Sequence, residues 1–334
     1  MSANEPMNAT LEITSQANGE NLVAESEAVL RRHARSFRWA APFLPRHARR
    51  DAAVTYAFCR YIDDVVDERD SDDTARAELG SIADELRGVR AARPLVAAYQ
   101  EIARRRGIPE SAALDLLAGM QYDMNQVRVQ NDAELALYCY RVAGVVGLMM
   151  APILGTTEPR ALRHAIDLGI GMQLTNISRD VGEDSRRDRV YLPASRLGAV
   201  GTSSDAVVAG QAPASDVHTV VRSLLDDAEV YYSSGKQGLR FLPFRARVAI
   251  SVAAKLYRAI GYRVRGLRER ALQKRAIVSP WRKILWVGVA LAETCWLRSR
   301  MRLPEAPLPL PDQLAETTRE HQQAIRPELQ RASG

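Results

Sequence analysis

Two stretches of the chain place acidic and amide side chains at helical spacing inside otherwise apolar sequence. In Tyr56-Ala-Phe-Cys-Arg60-Tyr-Ile-Asp63-Asp64-Val-Val-Asp67-Glu68, a rotation of about 100° per residue puts Tyr56, Arg60, Asp63 and Asp67 on one side of a helix. Like charges at i,i+4 destabilise a helix by ~0.2–0.5 kcal/mol, so helix stability does not ask for Asp63 and Asp67 together. Binding a divalent cation supplies a reason. The second stretch, Gln173-Leu-Thr-Asn176-Ile-Ser-Arg179-Asp180-Val-Gly-Glu183-Asp184, puts Gln173, Asn176, Asp180 and Asp184 on one side in the same way.

Either stripe alone also fits a solvated acidic helix end. Two stripes with the same donor types point instead to carboxylate rows facing each other across a helical bundle. Mg²⁺ takes one or two carboxylates and keeps water and phosphate oxygens in the rest of its shell, so such rows suit a diphosphate substrate. Metal held there would draw electron density from a diphosphate leaving group and make ionisation of a carbon–oxygen bond feasible. Arg60, Arg179 and Arg189 have the multiple donors that grip diphosphate oxygens, and each is equally suited to pair with a neighbouring Asp.

The elements that must position these residues are helices. Apolar residues recur at three- and four-residue spacing nearly throughout, and alternating runs are scarce. The pattern predicts an all-α fold with helices over 22–41, 47–69, 74–90, 94–106, 110–128, 132–155, 159–185, 216–237, 244–274 and 281–300, punctuated by prolines. Residues 1–21 read as a polar disordered leader, 22–302 as one catalytic domain and 303–334 as a proline-rich polar tail. A hydrophobic fraction of 46% is enough for one substantial core. Ala143, Gly144 and Gly147 leave space along an apolar helix for either a neighbouring helix or a long apolar ligand.

Three widely spaced cysteines, Cys59, Cys139 and Cys295, with no C-x-x-C pair, suggest neither a disulfide framework nor a thiolate metal site, and fit a reducing cytoplasm. The five histidines lack metal-ligand spacing. The N-terminus does not read as a secretory signal, and the uncharged run over 142–157 is too short to span a bilayer. Between Arg263 and Arg302 eleven Lys/Arg face two acids, a balance of +9 against +6 for the whole chain. With Trp281, Trp286 and Trp296 interleaved, that segment fits either an anionic membrane surface or a solvated basic face. No helix-turn-helix, zinc-finger or RNP-type motif accompanies it, which argues against nucleic acid.

Four motifs in order resemble those of the squalene/phytoene synthase family of head-to-head prenyl synthases: His33-Ala-Arg-Ser36-Phe37, the Tyr56–Glu68 stretch, Tyr138-Cys-Tyr-Arg-Val-Ala143-Gly144-Val-Val-Gly147, and the Gln173–Asp184 stretch. The third motif and Arg189-Val-Tyr191-Leu-Pro193 look most like the family's bacterial phytoene synthase branch. The resemblance implies a single helical isoprenoid-synthase bundle with a central cavity in which two geranylgeranyl diphosphates join through a cyclopropylcarbinyl diphosphate. It implies Asp63, Asp67, Asp180 and Asp184 as ligands of Mg²⁺, or Mn²⁺ in its place, with Asn176 and Gln173 in support. Asp123 falls on an active-site position, and Phe37, Tyr56 and Tyr138 on cavity positions where aromatic faces stabilise a carbocation. Ser36, Arg179, Arg189 and Tyr191 complete the substrate-binding set.

No NADPH is expected, and no G-x-G-x-x-G follows a strand. The alternatives are squalene or dehydrosqualene formation from two farnesyl diphosphates, a terpene cyclase, and a basic membrane-surface protein without catalysis. The expected location is the cytoplasm, peripheral at the inner face of the membrane.

Overall fold

The computed structural model describes residues 19–33, 37–68, 71–156, 158–272 and 276–297. The proline-rich tail, Ser36 and most of the leader lie outside them, as does the side chain of Phe37. The described chain is helical: α1 (Gly19–His33), α2 (Arg46–Asp67), α3 (Asp72–Leu86), α4 (Pro94–Arg106), α5 (Glu110–Tyr122), α6 (Asp132–Ile153), α7 (Arg160–Arg186), α8 (Ala194–Ala199), α9 (Ser204–Val208), α10 (Ala214–Gly238), α11 (Phe244–Leu267) and α12 (Pro280–Leu297). Short turns at Phe37–Ala40 and Ala41–Phe43 join α1 to α2.

The periodicity locates most helices, and the boundaries follow local chemistry. Ser71 accepts from the Thr74 amide and Asn131 from the Glu134 amide, starting α3 and α6. Gly107 at φ 66° ends α4.

Three expectations need correction. Of the helix expected over 22–41, residues 34–36 lie outside the described residues. The helix expected over 110–128 stops at Tyr122, and its last residues form β1 (Val127–Arg128), which pairs in parallel with β2 (Arg189–Val190). The helix expected over 244–274 ends at Leu267, and α8 and α9 were not anticipated. Two-residue strands and five- or six-residue helices are too short to show a period. Within α6, Tyr140–Gly144 widens into a π turn, a feature common beside functional sites.

The main core lies among α2 to α7, with Phe58, Tyr61, Ile62, Leu95, Leu148 and Met149 almost fully buried. Phe58 stacks on Tyr99 at 4.0 Å. A second cluster, around Leu44, Val248, Val252, Leu256 and Ala290, lies beneath α11 and α12. By length and composition α6 passes for a membrane span, but many of its apolar side chains sit in the core.

The helices α6 and α10 each run antiparallel to α7 at very close range. An added Cβ on Gly147 would meet the Ala165 carbonyl oxygen at 2.2 Å, and one on Gly169 the Ala143 oxygen at 2.3 Å. Helix propensity alone makes a buried Gly→Ala change favourable by about 0.5–1 kcal/mol. Backbone atoms cannot yield as a side chain does, so overpacking wins here. Gly169→Ala is expected to lose ~1–3 kcal/mol, read as a lower urea midpoint at unchanged slope; a rise in the midpoint would contradict the packing described.

Candidate active site

A cavity of about 710 Å³ lies between the two cores, walled by α2, α6, α7, α10 and α11. Small residues make the room: Ala143, Gly147, Ala165, Gly169 and Gly235 line it. The space along α6 is therefore used both ways left open by the sequence, by the backbone of α7 and by the cavity. Tyr56, Gln173, Asn176 and Arg179 face the cavity from one end, joined by Tyr257 on α11. Nothing in the sequence marked Tyr257, because it stands alone on a basic helix without a recognisable motif.

Beyond that end the two acidic stripes meet. Arg189, just after α7, reaches Asp67 on α2 with Nη1 to Oδ1 at 3.1 Å, and Arg187 approaches the other oxygen at 3.4 Å. Arg60 pairs with Asp63 at 2.7 Å and Asp64 at 2.5 Å, while Arg179 forks onto its neighbour Asp180. Each of the three arginines thus pairs with a carboxylate, one of the two roles its sequence left open.

Asp123 sits between the stripes. Its 7% exposed carboxylate accepts from the Tyr191 hydroxyl at 2.7 Å and the Tyr138 hydroxyl at 2.9 Å, and the two rings stack at 4.8 Å. The pairing of β1 with β2 fastens the segment after Asp123 to the segment that carries Arg189. Tyr138 therefore does not line the large cavity as expected; its hydroxyl is committed to Asp123, and a buried hydroxyl needs such a partner. Tyr191 is placed the same way. Ser36 and the Phe37 side chain lie outside the described residues.

The electrostatics show a site charged beyond its own means. Burial, then repulsion from Asp67 and Asp64 against the pull of Arg60, pushes Asp63 up to about 7. Burial, then Asp180, does the same to Asp184. Asp123 rises to about 6 through burial, opposed by the bonds from its tyrosines and by Arg189. Among the described residues no three acidic, His or Cys side chains already converge as an ion site. The donor set nonetheless fits a hard divalent cation: the oxygens come from carboxylates, and the buried Oδ1 of Asn176 has no hydrogen-bond partner. Asp63, Asp67, Asn176, Asp180 and Asp184 are the residues able to hold one.

Because Asp63 and Asp184 are raised from 3.8 toward about 7, ionising them costs stability progressively as pH rises across that window. A cation offsets the cost only where they are ionised. Added Mg²⁺ is therefore expected to raise the melting temperature by several degrees near pH ~8 and little near pH ~5. Equal shifts at both pH values in a thermal scan would contradict this.

A family profile described as squalene/phytoene synthase matches residues 30–282. A 15-cis-phytoene synthase from a Paracoccus strain is 36% identical over 297 residues, covering 86% of this chain and 95% of its own. A phytoene synthase from Thermus thermophilus is 39% identical over 236 residues, covering 70% of this chain and 79% of its own. Among solved structures, a dehydrosqualene synthase in complex with ligand superposes with a TM-score of 0.73 at 26% identity, covering 89% of this chain and all of that one. A squalene synthase from Alicyclobacillus acidocaldarius, at 23% identity and a TM-score of 0.65, covers 80% of this chain and 99% of its own, and shares the fold.

Proposed function

The chain belongs to the squalene/phytoene synthase family, and from that membership we propose that it is a prenyltransferase that joins two geranylgeranyl diphosphates head to head into phytoene, a step of carotenoid biosynthesis. The observation that carries the reading is the meeting of two acidic stripes, through Arg189 and Asp123, at one end of a cavity whose remaining walls are mostly apolar. The names of the curated relatives, phytoene synthases, favour phytoene as the product over the squalene-type names of the solved neighbours.

In this reading Mg²⁺, or Mn²⁺ in its place, held by Asp63, Asp67, Asn176, Asp180 and Asp184, supplies charge neutralisation of the departing diphosphate. Arg60, Arg179 and Arg189 would exchange part of their bonding with neighbouring carboxylates for diphosphate oxygens, which keeps every guanidinium paired. The C1–O bond of one substrate breaks, its diphosphate leaves, and the allylic cation is attacked by the double bond of the second substrate. Loss of a proton closes a cyclopropylcarbinyl diphosphate. This ionises in turn, rearranges and loses a second proton to give the hydrocarbon, so two diphosphates and two protons depart and no reductant is consumed.

Tyr56 and Tyr257 line the charged end of the cavity, where aromatic rings would stabilise a forming cation. The aliphatic walls exclude the water that would quench it. The two tyrosine bonds on Asp123 hold that carboxylate in place between the stripes.

The product is insoluble in water, and the surface near the cavity supports peripheral contact with an anionic membrane. Ile277 both lines the cavity and is 69% exposed, so it marks where the cavity reaches the surface. Beside it Trp281, Ile284 and Leu285 are also exposed, within the segment of +9 charge.

Purified protein with geranylgeranyl diphosphate and Mg²⁺, without NADPH, is expected to yield phytoene by mass spectrometry of the extract. Asp63→Ala and Asp180→Ala are expected to lose it by at least about a hundredfold, the scale of removing one transition-state charge stabiliser. A C30 product only from farnesyl diphosphate would move the substrate to C15, and no head-to-head product from either would overturn the reading. Co-sedimentation with anionic liposomes at low salt, weakened by Trp281→Ala with Leu285→Ala, is expected in parallel, and indifference to liposomes would remove the membrane contact.

A further inference from the structure

At the end of the cavity remote from the acidic cluster stands a braced histidine, His164. One face of α7 lines the cavity from Arg179 and Asn176 at the charged end to His164 and Ala161 at the other. Twelve residues of continuous helix separate Asn176 from His164, about 18 Å, and sixteen separate Asp180 from it, about 24 Å.

His164 is 3% exposed. Its Nδ1 lies 2.9 Å from the Ser234 hydroxyl, and Ser234 donates its single proton to Asp167, so Nδ1 is the donor toward Ser234. The fully buried Asp167 also accepts from Arg163 Nε at 2.8 Å. A buried ion pair of this kind is weak evidence for stability, and its best-attested use is to hold a geometry.

Other contacts lock the ring further. A Cβ at Gly238 would meet the His164 Cβ at 2.4 Å, so α10 presses directly against it. Behind the imidazole lies Phe241, stacked at 6.0 Å, with the guanidinium groups of Arg160 and Arg240 over that ring at 5.8 and 5.4 Å. A leucine in place of His164 would be free to change rotamer around a ligand; a ring bonded through Ser234 to a buried ion pair is not.

We infer that the His164 imidazole, braced by Ser234, Asp167 and Arg163 and backed by Phe241, is the end wall for the prenyl tail that lies along α7 and limits that tail to four isoprene units. The inference rests on the prenyl diphosphate reading of the cavity and adds a specificity-determining residue to it. An extended isoprene unit advances by four main-chain bonds, about 5 Å on the covalent dimensions that carry a trans peptide ~3.8 Å over three. With C1 held between Asn176 and Asp180, three units span about 15 Å and stop short of the ring, and four span about 20 Å and reach it. A fifth would have to pass the level of the His164 ring into the last turn of the lining at Ala161. Burial, with Arg240 and Arg163 nearby, holds the imidazole below its ordinary pKa, and a neutral ring suits contact with a hydrocarbon.

The test compares full-length wild type, His164→Ala, His164→Trp and Phe241→Ala. Affinities for unreactive thiolo-diphosphate analogues with C15, C20 and C25 tails are measured calorimetrically with Mg²⁺, and product chain lengths are read after incubation with the matching diphosphates. Wild type is expected to favour C20 over C25 by roughly ten- to a hundredfold, His164→Ala and Phe241→Ala to narrow that ratio by roughly tenfold and admit the C25 tail, and His164→Trp to move the C20-to-C15 ratio roughly tenfold toward C15. Opposite shifts from opposite changes in size are a signature that a loss of packing does not give. Ratios within twofold of wild type in the folded variants, or equal weakening for all three tails, would overturn the inference. If wild type binds the analogues yet forms no C40 product, the proposed reaction fails while the binding ratios still decide the wall.

Discussion

Five carboxylates, those of Asp63, Asp67, Asp123, Asp180 and Asp184, are gathered at one end of a helical bundle against their mutual repulsion, and much of the structure can be understood as what makes that gathering tolerable. Two helices deliver four of them as i,i+4 pairs, each pair slightly unfavourable to its own helix. The fifth arrives on the turn after α5, fixed by two tyrosine hydroxyls and by a strand pair of two residues on each side. Arginines from three places in the chain offset part of the charge, and what remains shows in the raised pKa values of Asp63, Asp123 and Asp184. A group that brings positive charge is the natural complement of such a site, and a diphosphate that arrives with its cation returns the arginines' attention to phosphate oxygens.

A single helix then organises the chemistry lengthwise. Because α7 lines the cavity from Ala161 to Arg179, it carries charged and amide groups at one end, aliphatic and small residues in the middle and a bonded imidazole near the other. The middle is open only because glycine and alanine bring α6 and α7 into backbone contact. Charge that would ionise a substrate and space that would accept its tail are thereby set at distances fixed by helical rise, with little freedom to slide.

Residues that shared an element were legible in the sequence; residues that met across elements were not. The stripes Asp63/Asp67 and Asn176/Asp180/Asp184 follow from a period of 3.6, and the all-α architecture follows from the same period. The bonds from Tyr138 and Tyr191 to Asp123 join positions 15 and 68 residues apart, and no spacing rule connects them. Family resemblance placed Tyr138 at the active site, and its bond to Asp123 came only with the structure, since a position in a motif does not say which way its hydroxyl finds a partner. His164 and Tyr257 were invisible for a simpler reason: each is a lone residue whose significance comes from the wall it stands in.

The distribution of charge along the chain gains a meaning from this geometry. The acidic residues concentrate where the two ends of α2 and α7 meet, whereas the segment from Arg263 carries the excess of basic residues and the exposed Trp281, Ile284 and Leu285. Ile277 belongs to the second region and still touches the cavity, as does Lys283 from the same segment. A charged substrate head and an uncharged product differ most in what they lose on leaving water, and a cavity with polar groups gathered at one end and apolar walls along the rest holds the two differently by that difference alone.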